Sequence, residues 1–492
     1  MNALSYMSVL ITNPSLLLLV AAGCFLGVYV GAIPGLSGTM AISILVSLTF
    51  GWKLESAIAL MIGVFVGVVY GGSRSAILLN IPGAPAAVAT SFDGYPLAKA
   101  GKAGMAMGIA TTSSVIGTLV GIICLAFFAP LLSKLALNFH SIDYLLLATI
   151  GLMMIGSASG RSLASGIIGG LIGLFVGFVG IDSQTAVPRF TFGWVYLNSG
   201  INFVIAIIGL FGASEVFYQI ANGHSYKVKN SSGRILPSLK TILGYLPLTI
   251  RSSIIGVLTG ILPGAGGEIA ALLSYDAAKR TVKNPSASFG DGAIEGVIAP
   301  ETANNAAIGG AFIPMLTLGI PGDAITAILI SAFMVHGVNV GPSFITTSPD
   351  VFYLIVACLI AASIFLVIFG LTGIKLFAKV IEIPKNILLP TILILSAVGA
   401  YAVNRSVIDI FWMLGFGLVG FLLKKFDFPV SPVVLGIVLV KLFEENFRRV
   451  MLLDGGIGGG FISIFKSPIS IVLFVILLIP IATKTVSKLR RR

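Results

Sequence analysis

Charge is what this sequence has least of. Only 10% of its 492 residues are Asp, Glu, Lys or Arg, and the first of them is Lys53. Residues 105–133, 351–374 and 386–404 carry no charge, and each stretch is long enough to cross the roughly 30 Å of hydrocarbon in a bilayer. Because 57% of the residues are hydrophobic as well, the composition excludes an ordinary soluble domain and predicts an all-α polytopic membrane protein.

Cysteine and histidine are also scarce, with three residues of each. The cysteines lie in apolar runs and predict no disulfide framework. The histidines are scattered, and no H-E-x-x-H, paired-cysteine, P-loop or G-x-S-x-G pattern accompanies them. We therefore expect no enzyme activity, no transition-metal site and no organic cofactor. Since the sequence has no nucleotide site either, any process that requires energy would draw it from an ion gradient or from a partner.

Positive charge exceeds negative charge, and the formal net charge is +12. The excess is spread over the loops and the C-terminal residues 484–492. This distribution suits contact with the anionic cytoplasmic leaflet of a bilayer better than it suits nucleic-acid binding. It predicts that the C-terminus lies in the cytoplasm.

Residues 256–267 interrupt an apolar region with the sequence G-V-L-T-G-I-L-P-G-A-G-G. Proline removes a backbone donor and glycine adds backbone freedom, so a helix that enters here should break near Pro263. Inside a bilayer, a broken helix leaves main-chain polar groups without partners. Such a break is tolerated only where the backbone is buried in protein or lines a wet cavity. The break is therefore a predicted binding site.

The same pattern of glycine and proline occurs earlier in the chain. Residues 27–38 read G-V-Y-V-G-A-I-P-G-L-S-G and match residues 256–267 at one offset (256 − 27 = 229). A second pair follows, with I-P-G at residues 81–83 and again at residues 320–322. Close packing of helices is the alternative reason for such glycines. Two ordered pairs of interruptions favour a duplicated unit with a transporter's substrate site between its broken helices.

These breaks also predict the organisation of the chain. We expect a first transmembrane repeat at residues 1–221, a cytoplasmic linker at 222–240, a second repeat at 241–466, and a terminal span with a basic cytoplasmic tail at 467–492. The polar loops after the first and second breaks carry one and two basic residues in the first half (residues 51–55 and 91–104), but three and none in the second (residues 279–283 and 337–350). Because cytoplasmic loops collect Lys and Arg, this reversal predicts two inverted-topology repeats of discontinuous or re-entrant helices, with about 10–12 spans. One of these spans is predicted at residues 428–440.

Arg74 is an ionisable residue in an apolar region, shortly before the break at Pro82. Ionisable groups inside membrane segments are costly and are functional suspects by default. The planar guanidinium suits a carboxylate, which predicts a contact with an acidic substrate. Extension of the side chain to the membrane interface and pairing with Asp93 are the alternatives.

Acidic and amide side chains lie near the breaks of the second half. Glu268 and Asp323 each follow a break, and Glu301 lies in the motif P-E-T-A-N-N, which ends with Asn304 and Asn305. Carboxylate, amide and main-chain carbonyl oxygens suit Na⁺, and a carboxylate also suits proton exchange. Helix capping is the alternative, and for Asp323 it would be sufficient. Adjacent amides in an apolar stretch are harder to explain, because they need buried partners.

The predicted site residues form two groups. The helices that begin after the breaks would aim free amides and positive dipole ends at one region, which suits an anion. For the substrate we predict Gly35, Ser37, Ser73, Arg74, Asn80, Pro82, Gly83, Gly264, Gly266, Pro321 and Gly322. For the coupling ion, Na⁺ or H⁺, we predict Asn80, Glu301, Asn304, Asn305, Thr317 and Asp323.

Long motifs in both halves make the sequence similar to a known family. They include G-A-I-P-G-L-S-G at residues 31–38, Y-G-G-S-R-S-A-I-L-L-N-I-P-G at 70–83, D-G-Y-P-L-A at 93–98, G-I-L-P-G-A-G at 260–266, A-P-E-T-A-N-N-A-A at 299–307 and L-T-L-G-I-P-G-D at 316–323. On these residues the chain resembles the large membrane subunit of the tripartite tricarboxylate transporter family, and the resemblance covers essentially the whole length.

The resemblance implies secondary transport of carboxylates such as citrate across the bacterial inner membrane, driven by sodium or protons. It also implies two partners, a periplasmic solute-binding protein and a small membrane subunit of about four helices. The members of the family serve varied organic anions, so the resemblance does not identify the substrate. A passive organic-anion channel is an alternative function. A membrane scaffold or an intramembrane enzyme is another, although it would leave the duplicated breaks unexplained.

Overall fold

The helices of this protein end where proline and glycine interrupt them. The computed structural model describes residues 10, 12–33, 36–158, 163–182, 185–222, 237–372 and 385–489. The helices of the first half are α1 (Pro14–Ala32), α2 (Gly38–Leu48), α3 (Leu54–Leu79), α4 (Ala87–Leu97), α5 (Ala103–Ala136), α6 (Ser141–Ala158), α7 (Leu163–Gly177), α8 (Phe203–Ile207) and α9 (Ser214–Asn222). Short π-helical stretches join α4 to α5 (Ala98–Lys102) and α8 to α9 (Ile208–Ala213).

The remaining helices lie in the second half. Its helices are α10 (Leu239–Gly244), α11 (Leu246–Ile261), α12 (Gly266–Thr281), α13 (Glu295–Leu318), α14 (Ala324–Val335), α15 (Phe344–Thr347), α16 (Pro349–Thr372), α17 (Lys385–Asn404), α18 (Val407–Lys425), α19 (Ser431–Leu453), α20 (Ile457–Ile464) and α21 (Pro468–Leu489). Most of the predicted linker, residues 223–236, lies outside the described residues. The last three residues of the basic tail and the break residues Pro34 and Gly35 do so too.

The predicted all-α polytopic membrane protein is confirmed. Within the described ranges, seven helices are long and apolar enough to cross a membrane, and a pair bent by 102°, Gly458–Ile464 with Pro468–Leu478, makes an eighth if it is one broken span. Five shorter apolar helices accompany them. Three of these, α2, α11 and α14, are arms that adjoin a break, so the number of crossings depends on how such arms pair.

Helices α1 and α3 of the first half, and α11 and α13 of the second, pack through equivalent glycines. A Cβ at Gly27 would lie 2.3 Å from the carbonyl oxygen of Val64, and a Cβ at Gly256 would lie 2.3 Å from that of Ala303. These backbones approach so closely because no side chain separates them. The pairs α1–α3 and α11–α13 are thus the same contact built twice. In two further equivalent pairs, a Cβ added to the glycine would lie 2.5 Å from a carbonyl oxygen: Gly31–Val68 with Gly260–Ala307, and Gly71–Val28 with Gly310–Val257.

The equivalent helices α3 and α13 contact each other in the core and run antiparallel there. Ser73 of α3 is hydrogen-bonded to Glu301, the main chain of Val69 to Asn304, and the ring of Phe65 lies 5.8 Å from that of Phe312. Successively earlier residues of α3 therefore contact successively later residues of α13. This arrangement brings the polar C-terminal part of α3 against the polar N-terminal part of α13, and leaves apolar residues together at the other end.

Two helical regions differ from the sequence prediction. Residues 91–104, expected as a polar loop, form the end of α4, a π-helical stretch and the start of α5, with a kink at Gly101 (φ 79°). The helix accommodates Asp93 because that carboxylate is buried and fully hydrogen-bonded, while the two lysines of this segment point outward. The span predicted at 428–440 is the longer helix α19, and a cluster of ion pairs explains how its charged second half is tolerated.

That cluster joins α19 to a small hairpin that the sequence did not predict, β1 (Gly180–Ile181) paired antiparallel with β2 (Pro188–Arg189). Arg189 lies 2.6 Å from Glu444 and 3.3 Å from Asp182, and Arg448 contacts the same two carboxylates. Two acids and two bases thus neutralise each other at this end of the helix.

Candidate functional site

The carboxylate of Glu301 lies at the meeting point of four helices. It belongs to α13, is only 1% exposed, and accepts hydrogen bonds from three hydroxyl groups. Ser73 of α3 donates to Oε1 at 2.5 Å, Thr90 of α4 also donates to Oε1, and Ser114 of α5 donates to Oε2 at 2.9 Å. Among the described residues no basic side chain forms an ion pair with Glu301. The site therefore holds a buried acid surrounded by neutral oxygen atoms.

The two adjacent amides extend this polar region along α13. Asn304 donates from Nδ2 to the carbonyl oxygen of Val69 at 3.1 Å, and its Oδ1 faces Gly267, where a Cβ would lie only 2.2 Å away. Asn305 donates from Nδ2 to Oγ1 of Thr118 at 3.2 Å. The Nδ2 group of each amide thus has a buried acceptor.

The two breaks of the second half lie against each other. Helix α11 ends before Pro263 and α12 begins at Gly266, which has a positive φ of 55°. A Cβ at Gly266 would lie 2.9 Å from the Cβ of Asp323, and one at Gly322 would lie 2.4 Å from the carbonyl oxygen of Gly260. Glu268 lies in the first turn of α12, two residues after Gly266. Gly264, Gly266, Pro321, Gly322 and Asp323 are therefore brought together.

The breaks of the first half meet in the same way. A Cβ at Gly83 would lie 2.2 Å from the carbonyl oxygen of Gly31 and 2.9 Å from the Cα of Gly72. Ser37 caps α2 by accepting a hydrogen bond from the amide of Met40 at 3.1 Å. Gly72, which Gly83 contacts, directly precedes Ser73, whose hydroxyl binds Glu301. On the same helix as Glu301, Asn304 contacts Gly267 beside the break at Pro263. Glu301 and Asn304 thus connect the breaks of the two halves.

Three predicted ion ligands have local structural roles. Asn80 ends α3 in the left-handed conformation (φ 56°, ψ 31°). Asp323 caps α14, accepting from the amide of Thr326 at 2.7 Å in a reciprocal capping box. Thr317 is buried and donates to the carbonyl oxygen of Ile313, one turn earlier in its own helix, at 2.7 Å. In this conformation, helix ends and hydrogen bonds within one helix explain the presence of these three residues.

Arg74 is fully buried beside the end of α16. Its Nη2 donates to the carbonyl oxygens of Phe369 at 2.5 Å and Gly370 at 2.9 Å, and its guanidinium lies 5.8 Å and 5.5 Å from the ring centroids of Tyr29 and Tyr70. Arg74 thus binds main-chain carbonyls in the last described turn of α16.

Asp93, the alternative partner for Arg74, is bound elsewhere. Its Oδ1 accepts from the amides of Gly290, Gly292 and Ala293 at 2.8–2.9 Å, and its Oδ2 accepts from the hydroxyl of Tyr275 at 2.8 Å. The carboxylate ties α4 both to α12 and to the loop that leads into α13. Thr90, one turn earlier on α4, is thereby held against Glu301.

Sequence reasoning missed the hydroxyl groups of α4 and α5. Thr90, Ser114 and Thr118 contact Glu301 or Asn305, yet none of them was predicted as a site residue. A signal was present in the uncharged run at residues 105–133, where Ser114 and Thr118 are spaced one helical turn apart. Among the described residues no group of three or more His, Cys, Asp or Glu side chains is arranged to hold a metal ion.

These features define a polytopic α-helical membrane protein with interrupted helices and a buried polar centre. The chain belongs to the tripartite tricarboxylate transporter TctA family, whose family model matches residues 17–435. The family predicted from the sequence motifs is therefore confirmed. The protein is a transporter subunit of a family whose name describes a system of three parts.

Two relatives from Agrobacterium vitis are similar to this chain. One, described as an uncharacterized 52.8 kDa protein in TAR-I ttuC' 3'region, is 38% identical over 439 residues, which cover 88% of this chain and 86% of that protein. The other, described as an uncharacterized protein in TAR-II ttuC' 3'region, is 41% identical over 201 residues, which cover 41% of this chain and 83% of that protein. No solved structure matches the chain significantly.

Proposed function

We propose that this subunit is a secondary active importer of tricarboxylates or related organic anions, coupled to Na⁺ or H⁺. The observation that carries the proposal is the contact between the interrupted segments of each half, where Gly83 meets the carbonyl of Gly31 and Gly322 meets that of Gly260. Interrupted helices at corresponding positions of two halves are the pattern that secondary transporters use for their substrate sites.

The substrate would bind through main-chain amides near the four prolines Pro34, Pro82, Pro263 and Pro321. Helix starts supply free N–H groups and a positive dipole end, so they can hold an anion without a basic side chain. Small residues at the breaks, such as Ser37, Gly264 and Gly266, leave room for a ligand close to the backbone. For Arg74 to bind the substrate as well, it would have to release the carbonyls of Phe369 and Gly370.

We also propose that residues 1–221 and 241–466 are inverted-topology repeats, joined by a cytoplasmic linker at 222–240 and followed by a terminal span and tail at 467–492. The antiparallel packing of the equivalent helices α3 and α13 supports this organisation, because a parallel duplication would orient them the same way. In alternating access, the core of broken helices would move against the longer, uninterrupted spans.

The coupling ion would bind among the oxygen atoms predicted from the sequence. Glu301, Asn304 and Asn305 lie together in α13, whereas Asn80, Thr317 and Asp323 would contribute through neighbouring carbonyls or after a conformational change. A buried carboxylate with neutral oxygen neighbours suits a monovalent cation or an exchangeable proton.

The proposed system has two partners and one location. A periplasmic solute-binding protein would deliver the anion, and a small membrane subunit of four helices would accompany this chain in the bacterial inner membrane. The name of the family supports an assembly of three parts. The basic excess near the end of the chain supports a cytoplasmic C-terminus.

Uptake into proteoliposomes tests the proposal. The chain is reconstituted with the small subunit, the binding protein is added outside, and radiolabelled di- and tricarboxylates are offered under an imposed Na⁺ or pH gradient. Saturable uptake that requires a gradient is expected. Current that follows voltage without saturation would instead indicate a passive anion channel, and the absence of flux for every acid offered would contradict transport.

A further inference from the structure

Two successive hydrogen-bonded rungs connect α5 to α13. Ser114 donates to Glu301, and one turn further along both helices Thr118 accepts from Asn305. The helices run parallel and lie close together, because a Cβ at Gly117 would approach the carbonyl oxygen of Thr302 to 2.2 Å. Oxygen atoms of four side chains thus lie along the buried interface between α5 and α13.

One acceptor along this interface has no hydrogen-bond partner among the described residues. Asn305 is 0% exposed, and its Oδ1 forms no hydrogen bond to any residue that the structure describes. The hydroxyl oxygen of Thr302, on the adjacent turn, is likewise without a hydrogen bond within the described part of the chain. A buried acceptor without a partner costs about 1–3 kcal/mol, and native proteins retain such groups where a ligand satisfies them or where they have another function.

We propose that Glu301, Asn305, Ser114 and Thr118 form a Na⁺ site between α5 and α13. The inference rests on the proposed ion-coupled transport and assigns its cation to this position. The site offers one formal negative charge and several neutral oxygens, so a monovalent cation neutralises it whereas a divalent cation leaves excess positive charge. A proton would neutralise Glu301 but would leave Oδ1 of Asn305 unsatisfied.

The position of the site links the cation to the helix that follows the first-half break. Ser73 and Thr90 bind Oε1 of Glu301, while Ser114 binds Oε2. Na⁺ at Oε2 would therefore neutralise the carboxylate without displacing Thr90 from the other oxygen. Because burying an uncompensated charge is costly, the bound ion favours the state in which α4 is closed against α13.

Thermal unfolding of the purified full chain in nanodiscs tests the site. NaCl is titrated against KCl at constant ionic strength, and Na⁺ is expected to raise the melting temperature because it binds the folded state alone. Glu301→Gln and Asn305→Ala should each raise the half-saturating Na⁺ concentration by about tenfold or more. Asn446→Ala is the matched control, since Asn446 on α19 is also buried with an Oδ1 that lacks a partner in the described residues.

The two proposals fail in different ways. If Asn305→Ala keeps the wild-type dependence on Na⁺, or if K⁺ stabilises the wild type as well as Na⁺ does, the Na⁺ site is wrong. Carboxylate uptake driven by a pH gradient in sodium-free buffer would also contradict the site while supporting the importer. Loss of Na⁺ stabilisation in both site variants, with the control unchanged, supports the site even if no carboxylate is taken up.

Discussion

Asn80 and Gly319 adopt the same left-handed conformation at the ends of the equivalent helices α3 and α13. Their dihedral angles are φ 56°, ψ 31° and φ 72°, ψ 19°, and they are separated by the same offset as the two second breaks (319 − 80 = 239). Glycine occupies this region freely, and Asn is one of the few other residues that tolerate it. Both halves therefore end the helix before the I-P-G break by the same backbone geometry.

Replacing Asn80 by glycine tests whether the side chain does more than accept this conformation. Asn80→Gly should preserve both the melting temperature and carboxylate uptake, because the second half already uses glycine here. Asn80→Ala should lower stability by about 1 kcal/mol, since alanine is strained at positive φ. Melting temperature and sodium-dependent uptake are measured for both variants. Normal stability with lost ion dependence in Asn80→Gly would instead assign the amide to the coupling ion.

The contacts between breaks predict a strict requirement for glycine. Gly83→Ala and Gly322→Ala should each destabilise the protein by about 1–3 kcal/mol or more, because the new methyl group would overlap a main-chain carbonyl. Gly415→Ala is the matched control, since a Cβ there meets nothing within 4 Å. Yield of folded protein and melting temperature are the measurements. Wild-type stability in both break variants would show that the breaks are not in contact.

The helix breaks could be predicted from sequence because their causes are local. Proline and glycine act on their own turn, so α11 ends before Pro263 and α14 begins soon after Pro321, as the pattern indicated. The scarcity of charge was equally informative about the class of protein. The pattern that predicts a duplicated unit was visible because the same order of glycine and proline occurs in both halves.

The partners of the site residues could not be predicted in this way. Glu301 contacts hydroxyl groups that lie 228, 211 and 187 positions earlier in the chain, and only the packing of α3, α4 and α5 brings them together. Arg74 binds main-chain carbonyls, which every residue has, so no side chain in the sequence indicates its partner. Asp93 similarly binds three main-chain amides, which no sequence pattern reveals, so the charges of its segment indicated a polar loop instead of a helix.

Arg74→Met tests whether the arginine stabilises the last described turn of α16. The substitution removes two hydrogen bonds from a charged donor, so it should destabilise the protein by about 1.5–3 kcal/mol and speed hydrogen exchange near residues 366–372. Arg280→Met is the control, because within the described ranges that exposed arginine pairs only with Asp276 on the same helix, and its loss should change stability by about 0.5 kcal/mol or less. An increased KM for the carboxylate without loss of stability would instead assign Arg74 to the substrate.

Asp93→Ala should release the loop that leads into α13. The substitution leaves the amides of Gly290, Gly292 and Ala293 without their acceptor, and each buried amide without a partner costs about 1–3 kcal/mol. Hydrogen exchange at these three amides should become fast, and uptake should fall because Thr90 is no longer held against Glu301. Tyr275→Phe removes only the bond to Oδ2, so it should cost about 1 kcal/mol and leave the amides protected. Equal exchange rates in the two variants would mean that the hydrogen bond from Tyr275, and not the three bonds from the loop amides, holds α4 in place.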